Sequence, residues 1–90
     1  MVDRPRYVLV VPSYFERILK QLKRKKPTLL AGLEKQVAKI LRDPVVGKPL
    51  RNVLRNYRRV HVGSSVLIYE IHDKEIRLID FDHHDRIYKK

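Results

Sequence analysis

Cysteine is absent from the 90-residue chain. That excludes a disulfide framework and a thiolate metal site. Long apolar runs are missing too. None reaches bilayer-spanning length, and none near the N-terminus leads into a small-residue cleavage site. The cytoplasm is therefore the expected compartment, with no membrane partner. Glycine occurs three times, at scattered positions, so no dinucleotide-binding or Walker-type phosphate loop can be built. The one serine pair, Ser64-Ser65, lies in a turn without the glycine elbow of a serine hydrolase. Acids are scarce, 10 Asp plus Glu against 21 Lys plus Arg, for a formal net charge of +11. A charge excess of that size repels itself, so a polyanionic partner is expected. Nucleic acid comes first and an acidic protein second, and the two are compatible. A merely solvated Lys/Arg surface of the heat-adapted kind would carry matching acids.

What is present suffices for one globular domain over residues 1–90. The apolar fraction is 43%, enough for one modest core. Arg6 to Val11 alternates as a strand and stops at Pro12. Ser13 and Glu16 have capping-box spacing at the start of a helix. Phe15, Ile18, Leu19 and Leu22 form its apolar stripe, and Lys26-Pro27 ends it. A second helix begins at Pro27 or Thr28, carries Leu30, Leu33, Val37, Ile40 and Leu41 on one face, and ends at Asp43-Pro44. Two helices joined so tightly form a hairpin. Residues 43–56 make a long connection, pinned by Leu50, Val53 and Leu54, that projects Lys48, Arg51 and Arg55. Three strands follow: Tyr57 to Val62, Val66 to Ile71 and Glu75 to Phe81. The order β-α-α-β-β-β predicts an α+β fold. Its antiparallel four-stranded sheet has the α-helical hairpin on one face. If Val60 and Val62 face the helices, Arg59 and His61 face away from them.

The chemistry concentrates at the end, in Asp82-His83-His84-Asp85-Arg86-Ile87-Tyr88. Adjacent histidines diverge in extended chain, and no helical i, i+4 pair exists, so no metal and no cofactor are expected. RNA cleavage without metal suits the residue types better. RNA carries its own nucleophile, the 2′-hydroxyl. The reaction needs a base, an acid, and cations for the phosphorane charge. Arg59, His61, His84, Arg86 and Tyr88 are of these kinds, and the meander brings 57–62 near 82–88. On spacing alone, catalytic and structural roles stand about even for His61 and His84. His72, in a turn, reads as structural.

Four segments resemble the RelE/ParE superfamily of toxins from type II toxin–antitoxin pairs. They are Lys48-Pro49-Leu50, Asn56 to Gly63, Val66 to Ile71, and His84-Asp85-Arg86-Ile87-Tyr88. Within it the chain is most similar to the YafQ-like mRNA endonucleases. The resemblance implies a toxin that enters the ribosomal A site and cleaves mRNA there, held in check by a cognate antitoxin. Its strand histidine falls on His61, its late histidine on His84 and its terminal aromatic on Tyr88. A further histidine falls on Lys48, and an acid falls on Ser65, so the pattern departs at both. The implied catalytic set is His61, His84, Tyr88 and Lys48. The expected RNA-binding cations are Arg51, Arg55, Arg58, Arg59 and Arg86. The alternatives are a ParE-like inhibitor of DNA gyrase and a non-catalytic basic RNA-binding module.

Overall fold

A computed structural model describes residues 7–50, 56–87 and 89. Strand β1 covers Val8–Val10, helix α1 Ser13–Lys25 and helix α2 Pro27–Arg42. A 3₁₀ turn at Pro44–Val46 leads into the two-residue strand β2, Lys48–Pro49. Then come β3, Tyr57–Val62, β4, Ser65–His72, β5, Glu75–His83, and a closing turn of helix, α3, His84–Ile87.

The α+β class and the hairpin are as expected, but the sheet is not a four-stranded antiparallel one. It has five strands in the order β1-β5-β4-β3-β2. Four strands form an antiparallel run, and β1 joins the far edge parallel to β5, with Val8 opposite Glu75. The extra strand comes from the connection, where Lys48 and Pro49 pair with Arg59 and Arg58. Pro49 lacks an N–H and suits an edge position. The capping box is also replaced. Pro12 occupies the N-cap with no side-chain cap, and its carbonyl accepts from Phe15 N–H and Glu16 N–H.

One apolar cluster joins hairpin and sheet. Phe15 and Leu22 of α1 and Leu33 and Ile40 of α2 meet Val60, Val62, Leu67, Tyr69, Ile76, Leu78 and Phe81. Ile18, Leu19, Leu30, Val37 and Leu41 pack around it, so both predicted stripes face the sheet. Gly32 lets α2 approach β3 closely, since a Cβ there would lie 2.9 Å from Val62 Cγ1. Burial of Val60 and Val62 against the helices leaves Arg59 and His61 on the opposite face. Among the described residues no helix is long and apolar enough to cross a membrane.

Candidate active site

Register places the polar residues on that second face. Cross-strand partners share a face, so Lys48, Arg59, Ile68 and Asp80 form one row across β2, β3, β4 and β5. The next row is His61, Val66 and Asp82. Lys48 and His61 are exposed, and Arg59 between them is partly buried. Two strand spacings, about 10 Å, separate the His61 and Asp82 backbones.

A bulge in the β4–β5 ladder adjusts this face. Ile68 pairs with Asp80 and Tyr69 with Leu78, so Ile79 is the extra residue. Its carbonyl accepts a 2.7 Å hydrogen bond from the Tyr14 hydroxyl. The Tyr14 phenol has its pKa raised, first by partial burial, then by the charge of Asp80 and by Tyr57. Nothing in its helical spacing marked Tyr14, because it adjoins the apolar stripe without belonging to it.

Lys48 is presented by a braced turn. The buried Tyr69 hydroxyl donates to Pro44 O at 2.6 Å and accepts from Gly47 N–H at 3.1 Å. Arg58 donates to Gly47 O at 2.6 Å and to Val45 O at 3.3 Å. Arg58, expected to bind RNA, thus holds the turn before Lys48. Burial raises the Tyr69 pKa, against the opposing effects of the Gly47 N–H and Arg58.

The C-terminal group sits at the same end of the sheet as His61. His83 pairs with Ser65, and Ser65 with Val62. The chain then turns into α3, where His84 N–H bonds to Ser64 O at 2.9 Å. His84 Nδ1 lies 3.1 Å from Asp85 Oδ1. A carboxylate there favours a proton on Nδ1 and leaves the Nε2 lone pair free to accept one. Asp82 Oδ1 accepts from His83 N–H at 2.7 Å and Arg86 Nε at 3.0 Å, which fixes Arg86 along α3. Asp82 and Asp85 were not among the predicted site residues. Their signal was the acid spacing around the two histidines, readable only once the chain is known to turn helical there.

Ser65, where the resemblance places an acid, is buried on the helix side. His72 is exposed at the end of β4, 3.9 Å from Asp73. Arg86 and His83 also line a groove of about 310 Å³ with Lys25 and Lys26. Tyr88, Arg51, Arg55, Val53 and Leu54 lie outside the described residues.

Basic strands backed by a helix hairpin, with histidines at one end of the sheet, make up a small α+β domain. The chain belongs to the RelE/ParE toxin superfamily: residues 11–88 match the family described as the ParE toxin of the type II toxin–antitoxin system parDE. It is 36% identical over 84 residues to the RelE4 protein of Methanocaldococcus jannaschii, covering 90% of this chain and 88% of that one. Its fold is similar to that in the RelBE2 toxin–antitoxin complex of Mycobacterium tuberculosis, at 28% identity and a TM-score of 0.72, covering 88% and 99% of the two chains. It is also similar to YafQ of Escherichia coli in fold, at 22% identity and a TM-score of 0.64, covering 92% and 99%.

Proposed function

We propose that this toxin is a ribosome-dependent mRNA endonuclease that works by 2′-hydroxyl attack without a metal. The carrying observation is the single polar face that presents Lys48, Arg59 and His61 and runs toward His84 and Arg86 at one sheet end. His84, with Asp85 beside Nδ1, is suited to accept the 2′-hydroxyl proton at Nε2. His61 then protonates the leaving 5′-oxygen, and Lys48 and Arg59 stabilise the phosphorane. Tyr88 stacks on a base, by its place in the family pattern. Arg51, Arg55 and Arg86 grip the backbone. The substrate sets the compartment, since ribosomes place the toxin in the cytoplasm.

The regulatory partner is a cognate antitoxin. Solved neighbours include toxin–antitoxin complexes, RelBE2 of Mycobacterium tuberculosis among them. An acidic partner over the basic face would neutralise the +11 charge and cover the histidines.

A second reading is inhibition of DNA gyrase, favoured by the ParE description of the matching family. One paired experiment separates the two. Purified chain is added to programmed ribosomes, and in parallel to gyrase with relaxed plasmid. Cleaved mRNA with unimpaired supercoiling is expected; blocked supercoiling with intact mRNA transfers the assignment to gyrase.

A further inference from the structure

Sequence spacing argued that His83 and His84 diverge, which holds for extended chain. The structure changes the premise: β5 ends at His83 and α3 starts at His84. The turn brings both rings onto Asp85, with centroids 5.6 Å apart and planes tilted by 56°. Asp85 Oδ2 is 3.6 Å from His83 Nδ1, and Oδ1 is 3.1 Å from His84 Nδ1. One ligand atom from each of the three residues lies within 4.8 Å of the others.

We propose that His83, His84 and Asp85 form a site for one divalent transition ion of the zinc class, and that this ion switches the nuclease off. The regulatory half rests on the proposed function; the binding half does not.

Metal–ligand bonds of about 2.0–2.1 Å in a tetrahedron set ligand atoms about 3.4 Å apart. The 3.6 Å and 3.1 Å contacts, made to different oxygens of the Asp85 carboxylate, lie near that spacing. Side-chain rotation brings both imidazoles onto one oxygen, and it is available because His83, His84 and Asp85 side chains are 37%, 57% and 67% exposed. Two imidazoles and one carboxylate suit zinc, copper or nickel, and disfavour magnesium or calcium, which take oxygen shells. His83 Nδ1 accepts from Asp85 N–H at 3.1 Å, a hydrogen bond that ligation through Nδ1 would replace. Arg86, on the same helical turn, is paired with Asp82 at 3.0 Å, which lowers local repulsion toward an incoming ion. Water completes the exposed coordination position.

Binding through His84 Nδ1 takes that nitrogen's lone pair, so the ring's one proton passes by way of solvent from Nδ1 to Nε2, with none released overall. The ring then carries the ion on one nitrogen and that proton on the other. It has no lone pair left to take the 2′-hydroxyl proton. Zinc thus removes the base while the cations stay in place.

The test uses untagged, chelator-stripped chain. Calorimetric titration with zinc chloride should give one saturable site per chain, and magnesium chloride none. His83→Gln and Asp85→Asn should each weaken zinc binding at least about tenfold. Their amide NMR spectra should stay folded, which separates loss of ligand from loss of fold. Unsaturable binding, or a site that both variants retain, overturns the proposal. In the cleavage assay zinc should silence the wild type, whereas His83→Gln, basally unchanged, should resist. Equal silencing of both overturns the regulatory half. If metal-free chain cleaves nothing, the nuclease reading falls, and the calorimetry still decides the site.

Discussion

The Tyr69 hydroxyl donates a 2.6 Å hydrogen bond to the Pro44 carbonyl. It ties the fully buried middle of β4 to the turn that delivers Lys48 to the sheet edge. Tyr69→Phe keeps the ring and removes the hydroxyl, stranding a buried carbonyl and the Gly47 N–H. The expected cost is about 1–3 kcal/mol in urea unfolding. The cost also depends on pH. Burial raises the Tyr69 pKa, so its contribution is complete below the unfolded value near 10.0 and is lost as pH rises through the higher folded value. The stability gap between wild type and Tyr69→Phe should be flat from neutral pH to the unfolded value and narrow above it. A gap that widens in alkali would contradict this role.

Gly47 tests the same brace sterically. A Cβ there would lie 2.6 Å from the Tyr69 hydroxyl oxygen and 2.8 Å from Arg59 O. The second neighbour is backbone and cannot swing aside. Gly47→Ala should cost about 1–3 kcal/mol, through overpacking and not through φ strain. Thermal melts of the purified variant read this directly, and an unchanged midpoint would mean that the turn has slack.

The core supplies a plainer check. Leu33 and Ile40 are 1% and 0% exposed, at the junction of α2 and the sheet. Truncating either to Ala should cost about 2–5 kcal/mol in equilibrium unfolding. A loss below about 1 kcal/mol at both positions would mean the hairpin does not carry the fold.

Apolar periodicity makes the hairpin and three meander strands legible in the sequence. Leu33 and Ile40 stand about two turns of helix apart, and Val60 and Val62 alternate, so each has a face to bury. Two sheet features carry no such signal. Lys48-Pro49 is too short to show a period, and β1 could pair with any of the later strands from its sequence alone. Its parallel register with β5 is a tertiary outcome. At the site, Arg59 and His61 follow from alternation, and Lys48 follows from the family resemblance. Arg58 does not: its β-strand parity turns it to the side of the valines, where the carbonyls of Val45 and Gly47 engage it. Asp85 is obscured because four residues of α3 cannot announce a helix.

Arg58 and Arg86 therefore separate under salt. Binding of a single strand weakens with log salt by about 0.7 per phosphate contact. Arg86→Gln should flatten the slope of RNA binding by roughly that amount. Arg58→Gln should leave the slope unchanged and lower thermal stability instead. Matching slope losses in both variants would assign Arg58 to RNA after all.

The decisive prediction concerns His84, Asp85 and His61. A positioned acid or base contributes about 10²–10⁴-fold to rate. His84→Ala and His61→Ala should each lose at least about a hundredfold in single-turnover mRNA cleavage on purified ribosomes, with ribosome binding retained. Asp85 acts through His84, since its carboxylate stands 3.1 Å from His84 Nδ1. Asp85→Asn should lower the cleavage rate at saturating toxin, leave ribosome affinity intact, and add little in the His84→Ala background. Asp85→Glu should recover part of the loss, because a longer carboxylate can still reach Nδ1. His72→Ala should match wild type, as its imidazole lies at the exposed end of β4 beside Asp73. If Asp85→Asn and His84→Ala losses multiply independently, Asp85 does not work through the imidazole. If both histidine variants cleave at the wild-type rate, the polar face binds RNA without cutting it.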